Sequence, residues 1–295
     1  MPLNAKLSRR RFVAASCAAT LCAAPLRAAP RLDPPLYTAE KDGARVYIFG
    51  GAVPKDRRWL TPTVKAAILD SDELWQEDPP TPSTFNRELN IELGQRKEGK
   101  LFDDFTPEQQ ARISEMARQL DVPLDTLQQM RPWAAGSVIA ALDFPRHMST
   151  YRPDDAKGVV MKMFTDRNLP IHSEVDQWDD WVRFYAAFPK PAAIQYMLYQ
   201  IDLAELPRDR FPRWSEEWLH GDLSGWEGFN RHLATAYPDL YRELEVKRNA
   251  KWAERLAAML DRGGGHFIHV GIQHTVGPDS IEAKALDTGI AVRRV

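Results

Sequence analysis

The sequence predicts an α/β fold, bordering on α+β, in which both ends of the chain contribute to one sheet around a large helical insertion. Three observations carry that expectation. Arg45-Val46-Tyr47-Ile48-Phe49 is a β-branched and aromatic run that stops at Gly50-Gly51, a strand meeting a turn. His266-Phe267-Ile268-His269-Val270 has the same character and stops at Gly271. Each run is followed by a short helix and a further strand, while residues 81–262 between the halves read mostly as helix.

In the N-terminal half, Thr61-Pro62 supplies an N-cap and a proline at the first helical position, and Val64, Ala67 and Ile68 form an apolar stripe. Glu73 to Glu77 is the second strand, closed by Pro79-Pro80. Within the insertion, Thr106-Pro107-Glu108-Gln109 is a capping box, and Ile113, Met116, Ala117 and Leu120 give the buried stripe of its helix. Asp155 to Phe164 is a further helix, and Ile171 to Val175 an added strand. Pro238 to Arg262 is the longest helix, with Leu240, Leu244, Trp252, Leu256 and Leu260 four or eight apart and Gly263-Gly264-Gly265 as its stop. The C-terminal half closes with a helix from Pro278 to Leu286, a stop at Gly289 and a strand from Ile290 to Val295. Six of the nine tryptophans fall within residues 178–252. Helix-on-helix packing, in which aromatics bury large areas, accounts for them better than an aromatic groove does.

Of the 295 residues, 44% are hydrophobic and 27% charged, a globular composition. The net charge of -2 gives no electrostatic reason to expect a nucleic-acid partner. There is no Gly-x-Ser-x-Gly and no Gly-x-Gly-x-x-Gly, so serine-nucleophile and dinucleotide readings fail. The first 28 residues stand apart. Ser8-Arg9-Arg10-Arg11-Phe12 precedes a mildly apolar stretch from Ala14 to Leu26 and small residues around Ala28, the grammar of a secretory signal. Twin arginines in that setting resemble the twin-arginine export signal, which carries folded proteins across the bacterial inner membrane. The apolar run is too short to span a bilayer stably. Cleavage after Ala28 would leave one domain over 29–295 in the periplasm, with no membrane insertion. Cys17 and Cys22 would depart with the signal, together with five basic residues. The mature chain would then hold 34 basic against 41 acidic residues, a net charge of -7, and no thiols.

The candidate chemistry sits where strands meet loops. Gly271-Ile272-Gln273-His274 puts an imidazole just past a strand's carboxyl end, where α/β proteins place their ligands. Glu77 ends the strand of the other half. A histidine and a carboxylate converging from two strand ends suit either a metal site or acid–base work. Arg248 and Asn249 lie together on the long helix as candidate crevice contacts, with a salt bridge from Arg248 to Glu245 one turn back as the structural alternative.

Arg248-Asn249-Ala250-Lys251-Trp252 followed by Phe267 to Gly277 resembles the TraB/GumN family, relatives of the Tiki proteases. The family pattern there is an Arg-Asn-x-x-Trp helix, a hydrophobic strand, Gly-x-x-His, a hydrophobic residue and Gly. Val46 to Gly50 and Leu74 to Glu77 match its N-terminal half, and Ile171 to Glu174 with Gln177 resembles an internal segment. The likeness spans about residues 36–295. It implies a metal-dependent hydrolase, with peptidase activity attributed to animal members, built on two Gly-x-x-His motifs and a glutamate. Glu77 and His274 would be catalytic residues and ligands of a divalent Mn, Zn or Co ion. Gly50, Gly51, Arg248, Asn249 and Gly271 would line the crevice, and a peptide or protein would be substrate or ligand.

The first motif departs from the pattern. It reads Gly50-Gly51-Ala52-Val53, so valine stands where a histidine is expected. Valine neither binds a metal nor moves a proton, and a catalytic metal normally has three protein ligands. His269, five residues before His274, and His172, two before Glu174, are the candidate substitutes. The missing histidine favours a degenerate member that binds a peptide or envelope component without efficient cleavage. The alternative is an active periplasmic peptidase using Glu77 and His274 with a substitute ligand.

Overall fold

Parallel pairing of the two glycine-terminated strands organises the architecture. The computed structural model describes residues 31–80, 86–147 and 154–295, so the export segment over 1–28 lies outside the described residues. β1 (Leu36–Lys41) and β2 (Ala44–Gly51) form a hairpin, followed by β3 (Glu73–Gln76) and β4 (Ile171–Ser173). β5 (Gly265–Gly271) and β6 (Val292–Arg294) come from the C-terminal half. The six strands form one mixed sheet in the order β4-β3-β5-β2-β1-β6. β5 is parallel to both β2 and β3, β3 is parallel to β4, and β1 is antiparallel to β2 and β6. The register sets Gly51 opposite Gly271 and Gln76 opposite His269. Glu77, one residue past β3, therefore shares one edge of the sheet with both glycine turns. That edge is the carboxyl end of the parallel strands.

Central position makes β5 apolar on both faces. Phe267 packs with Phe49, Leu74, Ile68 and Phe164, beneath the helices Pro62–Leu69 and Ala156–Thr165. Ile268 and Val270 face the other way, with Val46 and Ile48, onto Trp252, Leu256 and Met259 of the helix Lys247–Arg262. The sheet is thus sandwiched between helices. The helical insertion has a core of its own, in which Ile113, Met116, Trp133, Met197, Leu233 and Leu240 are buried together.

Local signals set most boundaries. Thr61 caps its helix by accepting from Val64 N–H, with Pro62 beside it, and the capping box at Thr106 and Gln109 is formed. Four features differ from expectation. The hairpin partner β1 was not foreseen; its tight turn uses Asp42 at φ 49° and Gly43 at φ 87°. The closing strand β6 pairs with β1 at the sheet's far edge. The last helix starts at Ile281, where Ser280 caps it, rather than at Pro278. The long helix is not uniform: Pro238–Tyr241 and Lys247–Arg262 are joined by a π-helical turn, Arg242–Val246. Tryptophans also divide. Trp218, Trp226 and Trp252 are core residues, whereas the ring of Trp181 lies 4.9 Å beneath the Arg248 guanidinium and that of Trp178 lies 5.7 Å from Lys157 Nζ.

Candidate functional site

Glu77 is held from three directions. Its Oε1 accepts from the Gly271 backbone N–H at 2.6 Å, tying the end of β3 to the second glycine turn. Its Oε2 accepts from Arg248 Nη2 at 2.7 Å, and His274 Nε2 lies 3.4 Å from the same oxygen. Arg248 also donates through Nε and Nη2 to both oxygens of Glu174, at 2.9 and 2.6 Å. The guanidinium thus bridges two carboxylates brought by different strands, a forked geometry that lysine would not reproduce. Burial alone would raise the Glu77 carboxyl, but the charges and bonds of His274 and Arg248 hold it well below the usual carboxylate range.

His274 is 3% exposed and anchored on its other side. Asn249 Nδ2 donates to Asp279 O at 2.7 Å, which turns Oδ1 towards His274 Nδ1 at 2.6 Å, so that Nδ1 is a donor. Glu245 Oε2 lies 3.2 Å from the same nitrogen. Burial would lower this imidazole, but the Glu245 charge, opposed by Arg248 and assisted by Glu77, raises it to about 9. His274 is therefore an imidazolium at neutral pH, with carboxylates on both sides. The π-helical turn contributes here: it holds Glu245 immediately before the α-helical turn that carries Arg248 and Asn249. Such bulges are common at functional sites.

A cavity of about 360 Å3 opens beside this network, within the ~300–1,000 Å3 range of small-molecule sites. Gly51, Val53, Glu77, Lys157, His269 and Gly271 are among its lining. Lys157 Nζ pairs with Asp78 Oδ2 at 2.7 Å, and Trp181 Nε1 donates to Asp78 Oδ1 at 3.1 Å. Burial pulls His269 down to about 4, so this second imidazole is neutral at pH 7. A side chain on Gly51 would run into the His269 ring, and one on Gly50 into Thr275, so both turn positions demand glycine for close approach.

The structure brings Glu77, His274, Arg248, Asn249 and Gly271 into one connected network, with His269 and Gly51 on the adjoining cavity. Gly50 stands behind, its carbonyl accepting from Trp218 Nε1 at 2.8 Å. His172 goes elsewhere, stacked on Trp75 at 4.6 Å and 3.4 Å from Glu73 Oε2. Arg248 bonds not to Glu245 but to Glu77 and Glu174. Sequence reasoning singled out neither Glu174 nor Glu245 as a site residue. The first carries a signal, a glutamate directly after a short strand; the second has none, because its placement depends on the π turn.

The network does not suit a catalytic divalent ion. Val53 has no side-chain donor to offer and Glu77 Oε2 already accepts from the Arg248 guanidinium, which leaves His274 Nε2, on a ring anchored through Nδ1 to Asn249, short of the three ligands such an ion normally has. Among the described residues, no group of three or more His, Cys, Asp or Glu is placed to hold a metal ion. The arrangement fixes its own charges internally and leaves a neutral imidazole, an ammonium and carboxylates at the cavity wall.

The model of the TraB/PrgY/gumN family matches residues 35–294 of the chain. No curated protein and no solved structure matches the chain.

Proposed function

The chain belongs to the TraB/PrgY/gumN family, and on that premise we propose that it is an exported, degenerate member that binds a peptide or envelope component without efficient cleavage. The observation that supports this reading is the commitment of Glu77. Both its oxygens have partners, and the nearest positive charges are protein side chains. A carboxylate kept ionised by Arg248 and His274 has no proton to give, little tendency to take one, and little free coordination. The cavity beside it retains what recognition needs: Lys157 and Asp78 as charged contacts, and an apolar wall including Val53 and Val270. Periplasmic location follows from the export segment, and the acidic, thiol-free mature chain suits an oxidising compartment.

Hydrolysis is the second reading, and neutral His269 facing the same cavity is what favours it. Metal content separates the two. Purified without a histidine tag, the protein and its Val53→His variant should both hold far less than one equivalent of Mn, Zn or Co, and neither should cleave a peptide library. A Val53→Trp variant, which fills the cavity, should lose whatever library members the parent retains. Stoichiometric metal that disappears in His274→Ala, or turnover that disappears in His269→Gln, would replace binding by catalysis.

A further inference from the structure

A second cavity lies in the helical insertion, walled by the helices Pro132–His147, Lys190–Glu205 and Arg210–Leu219. It encloses about 470 Å3, again a small-molecule size of ~300–1,000 Å3. Ala140, Phe144, Leu203 and Phe211 give it an apolar wall, and Arg210 is set into that wall. Arg210 is unusual for its burial. It is 2% exposed, its Nη1 donates to Leu203 O at 2.7 Å, and its guanidinium lies 4.1 Å from the Phe211 ring centre. Its Nε has no acceptor among the described residues. Burial pulls this guanidinium down to about 10, and the nearby charge of Asp143, which lines the same cavity, does not offset it.

A buried guanidinium with an unused donor is costly in an apolar wall, and a protein that keeps one normally uses it. The planar fork fits a carboxylate, which would satisfy Nε and neutralise the charge in one contact. Most of the remaining lining is apolar, which suits a hydrocarbon tail, with Asp143, Gln200 and Ser137 among its other polar members. We propose that this cavity binds a medium-chain acyl carboxylate, with its headgroup on Arg210 and its tail along Ala140, Phe144 and Phe211. The site is separate from the sheet-edge cavity, and the two share no lining residue.

Calorimetric titration of the full protein with decanoate, and with decanol as the uncharged control of equal tail length, tests this. Decanoate should bind saturably at one equivalent, and decanol about tenfold or more weakly, the worth of one charge-assisted contact. Arg210→Met should reduce decanoate to the decanol level while leaving decanol unchanged. Ala140→Trp, which keeps the arginine and fills the cavity, should abolish both. Absence of saturable decanoate binding, equal affinity for the two probes, or unchanged decanoate binding by Ala140→Trp overturns the proposal. Since the last two comparisons do not use Arg210→Met, the result stands even if that variant fails to fold.

Discussion

At the residue scale, Arg248 is the hinge of the electrostatics. It is 9% exposed and holds apart two carboxylates that would otherwise face each other in a poorly solvated site. Arg248→Met should therefore destabilise the fold by about 3–5 kcal/mol, the usual consequence of removing one partner from a buried pair. Adding Glu174→Gln should recover part of that loss, which a denaturation series on the single and double variants would read directly. A loss below about 1 kcal/mol in the single variant would mean that water screens the carboxylates. His274 gives a pH prediction. Its pKa is raised from 6.5 to about 9 on folding, so its contribution to stability is complete below about pH 6.5 and is lost as pH rises through 9. The slope between those limits should approach about 1.4 kcal/mol per pH unit at most. His274→Gln should flatten it in urea titrations from pH 6 to 9.5. His269 has the opposite sign: its pKa falls from 6.5 to about 4, so its contribution is present above 6.5 and is lost as pH falls towards 4. An unchanged alkaline slope in His274→Gln would remove the imidazolium from the site.

At the scale of elements, the β1–β2 turn shows what a short signal does. Asp42 and Gly43 both adopt positive φ, the turn that suits a two-residue hairpin. Nothing would touch a Cβ at Gly43, so the strain of Gly43→Ala is purely conformational. That substitution should cost about 1 kcal/mol and lower the melting temperature without altering the site, as NMR shifts of His274 would show. Gly51→Ala should do the reverse, moving the His269 ring resonances first, because its methyl meets that ring. The strands and capped helices were legible because their signals are local: β-branched runs before glycines, a threonine–proline cap, a capping box. The π turn was not legible. Its residues are helix formers like their neighbours, and the pairing of Glu245 with His274 joins positions 29 residues apart in the chain.

For the whole molecule, the sheet edge is where separated parts of the sequence meet. β2, β3 and β5 deliver Gly51, Glu77 and Gly271 to one edge, and the long helix lays Arg248 and Asn249 behind them. On the proposed twin-arginine route, export should follow folding. Residues 1–28 fused to a reporter that crosses the membrane only when folded should deliver it to the periplasm, and Arg9→Lys with Arg10→Lys should retain it in the cytoplasm. Delivery that survives that double change, or that needs an unfolded passenger, would point to a different route.

The sequence by itself determined the two strand–glycine halves, the helical insertion between them, the family and the pair Glu77 and His274. Each rests on residues close in the chain, and short-range propensity and motif spacing record such features directly. Only the tertiary structure decided what those residues touch. That Arg248 bridges Glu77 to Glu174, that Glu245 and Glu77 make His274 a cation, and that His269 stays neutral all depend on burial and on charges more than a dozen residues away. Burial and Coulomb attraction act through space, so a protonation state belongs to the packed site and not to any segment that supplies it.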